Sequence, residues 1–159
     1  MRKIMIVDDN YLSAEGIEKN IDWEVLNAEI VHICYNGTSA IEAMKNEPVD
    51  LIISDIEMPD LDGISMSRQA LDINPMVKII LISAYDKFEY ARRALLLGAL
   101  DYIEKPLDYA YLIQKVKNAF DLMEREQKNL QLLKQSRPLL IEKFFRDITH
   151  RSRQEASYR

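Results

Sequence analysis

The run Leu51-Ile52-Ile53-Ser54 is almost wholly apolar and ends at Asp55, with the breaker-rich stretch Pro59-Asp60-Leu61-Asp62-Gly63 close behind. A short apolar run bounded by turn formers reads as a strand buried on both faces, as in a parallel sheet covered by helices on each side. Residues 78–83 repeat the pattern with Lys78-Ile79-Ile80-Leu81-Ile82-Ser83, and residues 3–7 do so before Asp8-Asp9-Asn10. Asp55 then stands where a buried strand emerges into a loop. In open α/β sheets that carboxyl edge is where ligands bind. An aspartate there also simply begins turns. The residue alone does not separate the two readings.

The segments between these runs carry helical spacing. Leu12, Ile17 and Ile21 recur after the first strand, and Trp23 reads as a packing residue in the connection to the second. Residues 28–34 form a second strand of mixed burial, closed by Asn36-Gly37. Thr38 or Ser39 is the expected cap of a helix with Ile41, Ala43 and Met44 inward, ending before Pro48. A third helix starts at Gly63 with Ile64, Ser67, Ala70 and Leu71 in register. Residues 86–97 are helical with Phe88, Ala91 and Leu95 inward, and Gly98 ends them. Residues 101–104 are a short fifth strand, stopped by Lys105-Pro106, and a last helix begins near Asp108. Five strand–helix units with short connections spell a doubly wound α/β sheet. Right-handed crossovers put every strand's carboxyl end on one edge.

Bulk properties bound the class. A chain of 159 residues with 48% hydrophobic content supports one well-cored domain with some length to spare. No run approaches the 18 or more apolar residues of a membrane span. The apolar start stops after Val7, too short for a secretory core, so the expected setting is cytoplasmic. The single Cys34 excludes an intramolecular disulfide and, set among apolar residues, reads as a buried structural thiol. Residues 1–120 carry 12 basic against 20 acidic side chains, and residues 121–159 carry 9 against 6. An acidic body is a poor binder of phosphate backbones, and the basic tail reads as a solvated linker.

Four strand ends deliver polar groups to the shared edge: Asp8 and Asp9, Asp55, Ser83 and Lys105. Packed carboxylates repel, so one is protonated or a cation sits among them. All-oxygen ligation suits Mg2+ rather than zinc. An acidic cluster with one lysine and one hydroxyl fits a phosphoryl group arriving on a carboxylate, its oxygens neutralised by metal and ammonium. His32 and His150 read as packing or surface residues, and Asp60-Leu61-Asp62-Gly63 lacks the later ligands of a calcium loop.

The acidic pair, Asp-Ile-Glu-Met-Pro-Asp-Leu-Asp-Gly at residues 55–63, Ser-Ala-Tyr at 83–85 and Tyr-Ile-Glu-Lys-Pro at 102–106 occur in one order. Over residues 1–125 the set resembles the receiver domain of bacterial two-component response regulators. That resemblance implies a flavodoxin-like, five-stranded parallel sheet of order 2-1-3-4-5. It implies Asp55 as phosphoacceptor, with Asp9, Asp55 and the Glu57 carbonyl on Mg2+ and Asp8 acting mainly through water. It also implies Ser83 as switch hydroxyl, Tyr102 as its aromatic partner, Lys105 on the phosphoryl oxygens and a cis Lys105–Pro106 bond. Glu57 and Tyr85, flanking that site, are expected to slow hydrolysis by hindering water. The implied partner is a sensor histidine kinase. Ile21-Asp22-Trp23-Glu24 and residues 83–91 resemble regulators that carry an AraC-type DNA-binding domain. Such a domain takes roughly a hundred residues, so the chain reads as a receiver (1–125) and helical linker (126–159) of a longer, truncated protein, with DNA contacted only through the absent part.

In the last helix Leu112, Val116, Ala119, Met123, Leu130 and Leu133 follow a 3.5-residue repeat that Glu126 interrupts. They fit either a core-docked helix with a solvated extension or a helix that pairs with a second copy. A homodimer is expected through this helix or through the face formed by the fourth helix, fifth strand and fifth helix. Ser136-Arg137-Pro138 reads as a cap opening a further helix over residues 139–148, and residues 151–159 read as disordered. Two rivals stand beside the receiver: a Mg2+-dependent phosphohydrolase with an aspartyl nucleophile, and a phosphorylation-independent dimerisation module.

Overall fold

The computed structural model describes the backbone of residues 1–84, 88–99 and 101–157, with side chains except at 88, 136–140 and 150–157. Five strands, β1 (Arg2–Val7), β2 (Ala28–Cys34), β3 (Leu51–Asp55), β4 (Lys78–Ser83) and β5 (Asp101–Glu104), form one parallel sheet in the order β2-β1-β3-β4-β5. The alternating helices are α1 (Tyr11–Asn20), α2 (Gly37–Asn46), α3 (Gly63–Ile73), α4 (Phe88–Leu97) and α5 (Tyr109–Ser157). Two compact units divide the chain, Met1–Ala119 and Phe120–Arg159.

The sheet's logic comes from its apolar runs. β3 lies in the middle and every one of its residues is buried, which is why its sequence shows no alternation. β2 lies at an edge and is only partly buried along its middle. Register pairs Val7 with Ser54, Asp55 with Ile82, and Ser83 with Glu104. The strands therefore finish within about a residue of one another, and the loops leaving them share one edge. Met5, Ile52, Ile64, Met66, Ile79 and Leu81 belong to the buried apolar core.

Several expectations shift at the surface. In α1 the buried residues are Ala14 and Ile17, whereas Leu12 is 75% exposed; Ala14, not Leu12, continues the spacing to Ile17 and Ile21. Among the α4 side chains described, the buried one is Ala94, with Tyr90 and Leu97 packed against the core and Leu95 68% exposed, and the side chain of Phe88 lies outside the described residues. The small Ala94 brings the helix close to its neighbours and turns the larger leucine outward. The cap of α2 is Asn36, not Thr38 or Ser39: its side chain accepts the Ser39 N–H at 2.7 Å, the use asparagine serves best at this position. Gly98, at φ +95°, closes α4 as expected.

The tail departs most. No new helix opens at Pro138, because α5 continues through it to Ser157 and includes residues expected to be disordered. Proline removes one backbone donor, but the Leu, Lys, Gln and Glu around it are strong helix formers and the remaining ladder carries on.

Truncating the central Ile53 to Ala is expected to cost about 2–5 kcal/mol in urea unfolding, whereas Leu95→Ala stays within about 0.5 kcal/mol. Equal losses at the two positions would contradict an α4 register that turns Leu95 to solvent.

Candidate functional site

The polar edge is built from strand exits outward. Beyond β1, the Asp8 N–H donates to the Cys34 carbonyl at 3.0 Å, fixing this residue to the end of β2. Asp8 Oδ1 accepts the Asn10 N–H at 2.9 Å, and Asn10 Oδ1 in turn accepts from Leu12 and Ser13 to cap α1. One turn thus orients the carboxylate and starts the helix. Asp8 is buried, and Asp9 beside it is exposed.

Asp55 ends β3 at 7% exposure, its Oδ1 accepting the Ile56 N–H at 3.0 Å. The connection to α3 folds tightly back: the Gly63 N–H donates to the Ile56 carbonyl at 2.8 Å. Any Cβ at position 63 would overlap the Asp55 carbonyl oxygen, so glycine is required there by close approach. Asp62 caps α3 by accepting the Ser65 N–H at 2.7 Å, and Asp60 holds a left-handed φ of 67°. The acidic loop is therefore a turn and a cap.

Ser83 is fully buried at the end of β4, and its carbonyl accepts the Lys105 N–H at 2.7 Å. The Lys105–Pro106 bond is cis, as expected. Lys105 Nζ lies 3.5 Å from Asp8 Oδ2 and 3.8 Å from Asp55 Oδ1. Carboxylate oxygens of Asp8, Asp9 and Asp55 all lie within 4.8 Å of one another.

That geometry sets the electrostatics. Burial, and then the charge of Asp8, pushes the Asp55 carboxyl up to about 6, against the pull of Lys105. Burial also raises Asp8, opposed by the Asn10 N–H and Lys105. Three oxygen-only ligands with a surplus of negative charge fit a hard divalent cation, so this cluster could hold a metal ion.

Four of the sequence-selected residues, Asp8, Asp9, Asp55 and Lys105, are thus brought together, and Ser83 is joined to them through its carbonyl. Glu57 is half-buried in the β3–α3 loop, and its side chain is not among the clustered carboxylates. Tyr102 sits on β5 opposite Leu81, packs partly against the core, and lines a separate depression of about 320 Å³ with Glu104 and Tyr111. Tyr85 and the side chain of His150 lie outside the described residues. His32 is half-buried with Nε2 3.0 Å from the Glu47 carbonyl, and burial pushes the Cys34 thiol up, away from nucleophilic use. Sequence reasoning missed Asn10 and the close approach at Gly63. The signal for the first was an asparagine directly before a helical pattern.

A family profile for the response regulator receiver domain matches residues 4–117. The uncharacterized transcriptional regulatory protein YesN of Bacillus subtilis is 29% identical over 126 residues, covering 79% of this chain and 34% of that protein. The receiver domain of AraT, a response regulator from Geobacillus stearothermophilus, is 35% identical with a TM-score of 0.75, over 79% of this chain and 98% of that one. A two component transcriptional regulator AraC from Clostridium phytofermentans is 29% identical with a TM-score of 0.72, over 81% and 99%. The chain spans less than half the length of the first curated relatives it matches.

The raised Asp55 has a stability consequence in metal-free protein. Its folded-state pKa of about 6 lies above the ordinary 3.8, so the folded state holds the proton more tightly. The resulting stability is full below the unfolded value and is lost as pH rises through about 6. The gap of about 2 pKa units corresponds to roughly 3 kcal/mol at most. Urea unfolding in chelator at pH 7.5 is expected to find Asp55→Asn more stable than the unsubstituted chain by roughly 1–3 kcal/mol, with the gap closing near pH 3.5 or on adding a divalent cation. Identical midpoints at pH 7.5 would contradict the electrostatic account.

Proposed function

The chain belongs to the response regulator receiver domain family, and on that basis we propose that it is the phosphoacceptor of a two-component pathway, taking its phosphoryl group on Asp55. The observation that carries this reading is the buried Asp55 carboxylate with Lys105 Nζ 3.8 Å away and two further carboxylates beside it. The donor is a sensor histidine kinase. The phosphorus–nitrogen bond of its phosphohistidine breaks as a bond forms from an Asp55 oxygen, and the leaving imidazole is reprotonated. Asp9, Asp55, the Glu57 carbonyl and, through water, Asp8 would hold Mg2+, which would supply positive charge against the phosphoryl oxygens. Lys105, just beyond β5, supplies a second positive charge. The protein is not an enzyme on other substrates; it promotes only its own phosphotransfer and dephosphorylation. A cytoplasmic setting agrees with a chain whose single cysteine, Cys34, has no intramolecular disulfide partner.

Switching is a population shift. The new phosphoryl group adds roughly two negative charges. Ser83 and Lys105 move toward it, and Tyr102 turns into the space released, so that the face made by α4, β5 and α5 repacks. Moving such an equilibrium from mostly off to mostly on takes about 5.5 kcal/mol. Charge-assisted hydrogen bonds contribute about 1.5–3 kcal/mol each, so roughly two to four suffice. The output is control of transcription, the role that the curated relatives' names give them.

A second copy of the chain is the partner we assign to the second unit. Leu130, Leu133, Ile141, Phe144, Phe145 and Ile148 are all exposed. At 3.6 residues per turn they fall within an arc of about 120° on the helix. The ion pairs Glu124–Lys128 and Glu142–Arg146 lie on the opposite side. A stripe on a rod of 38 residues, about 57 Å long, suits another rod better than a globular surface.

Asp55→Asn is expected to abolish acid-labile phosphate incorporation from acetyl phosphate with Mg2+, and the unsubstituted chain to stop at one phosphate. Full labelling of the variant would refute the assignment, and many turnovers on a phosphate ester would favour a phosphohydrolase instead. Sedimentation is expected to find a dimer that Phe144→Asp dissociates. A unit that is monomeric at all concentrations would remove the seam.

A further inference from the structure

Gly16 lies in the second turn of α1, where glycine is a poorer helix former than alanine. A Cβ built there would stand 2.5 Å from the Tyr109 hydroxyl oxygen, and the next atom, the ring Cζ, is already at 3.7 Å. Carbon contacts are ordinary at about 3.5–4.0 Å. A single phenol oxygen therefore occupies the space that any other residue at position 16 would fill.

Tyr109 is also the first residue of α5, four positions beyond Lys105. The intervening connection is tied at both ends: the Lys105 N–H donates to the Ser83 carbonyl, and Asp108 Oδ1 accepts the Ala110 N–H at 2.9 Å. Between α1 and this connection lies a pocket of about 210 Å³, walled by Ser13, Ile17, Pro106 and Tyr109 and reached by Asp8 and Lys105. Lys105 is an ammonium on a flexible four-carbon stem with many rotamers open to it. Its side chain remains 25% exposed, and its bonds to the two carboxylates are long, at 3.5 and 3.8 Å. Those bonds hold it loosely. The walls around it must confine it.

We propose that Tyr109, seated on Gly16, is a positioning residue for Lys105: it closes the gap between α1 and the β5–α5 connection and keeps the ammonium over Asp8 and Asp55. The proposal rests on the reading that Lys105 contacts the phosphoryl group on Asp55. Tyr109 itself touches no reacting atom. An alanine at position 16 forces the hydroxyl aside, and the ring with it, opening the pocket beside the lysine stem.

The test is the rate of phosphorylation of the full chain by acetyl phosphate with Mg2+, with urea midpoints measured in parallel. Gly16→Ala and Tyr109→Ala are each expected to lower the maximal rate about tenfold, since small misplacements of a charge-stabilising group cost one to two orders of magnitude, while half-saturation by acetyl phosphate stays unchanged. Gly16→Ala should hold or raise the urea midpoint, so the lost rate does not reflect lost fold. Adding Tyr109→Phe to Gly16→Ala should restore the rate, because the remaining ring carbon sits at 3.7 Å. In a Lys105→Ala background neither Gly16→Ala nor Tyr109→Ala should lower the rate further. An unchanged rate in Gly16→Ala, no rescue by the phenylalanine, or a full further loss without Lys105 would each overturn the proposal. Failure of the underlying reading has a different signature: Lys105→Ala alone would then phosphorylate at the full rate.

Discussion

Like-charge repulsion among Asp8, Asp9 and Asp55 is the constraint on which the rest of this molecule depends. Their oxygens lie within 4.8 Å of one another, two of the three residues are buried, and one ammonium is shared between those two. Burial first, and repulsion from Asp8 second, make such a cluster unfavourable, and the raised Asp55 carboxyl records the cost. A fold keeps an arrangement like this only where the surrounding structure over-determines it. Here the surroundings are the strand exits. Each buried carboxylate hangs from a backbone that is hydrogen-bonded to the neighbouring strand, and each accepts a backbone N–H one or two residues along. The stored unfavourable energy is relieved by cations, which links the site's chemistry to its stability.

The scaffold achieves this by setting its most apolar sequence next to its most polar. β3 and β4 supply buried isoleucines and leucines almost up to the site itself. The low-dielectric floor they make strengthens every charge interaction above it. Lys105 arrives from the other side, on a connection bonded to β4 at one end and capped into α5 at the other. Loop geometry, more than ion-pair strength, holds that cation in range.

Much of this was legible in the residues. Apolar runs with abrupt polar ends marked three strands, turn residues bounded the other two, and the polar strand ends marked Asp8, Asp9, Asp55, Ser83 and Lys105. Where the reading slipped, the cause was local. Leu12 and Leu95 are large and apolar, so a periodicity count assigned them inward, but the small residues Ala14 and Ala94 hold the buried positions. Pro138 looked like a boundary because its cost is intrinsic, whereas the helix formers on either side act together. Gly16 is a weak point in a helix on local grounds alone, because its reason lies 93 residues away at Tyr109.

Sequence alone determined which elements form and which side chain closes each strand, because strand burial and turn chemistry are properties of a few adjacent residues. Tertiary structure decided what those side chains do to one another. The raised Asp55, the shared ammonium and the glycine-seated tyrosine all depend on distances of a few ångströms between segments remote along the chain. Such distances come from register and packing, and no local pattern encodes them.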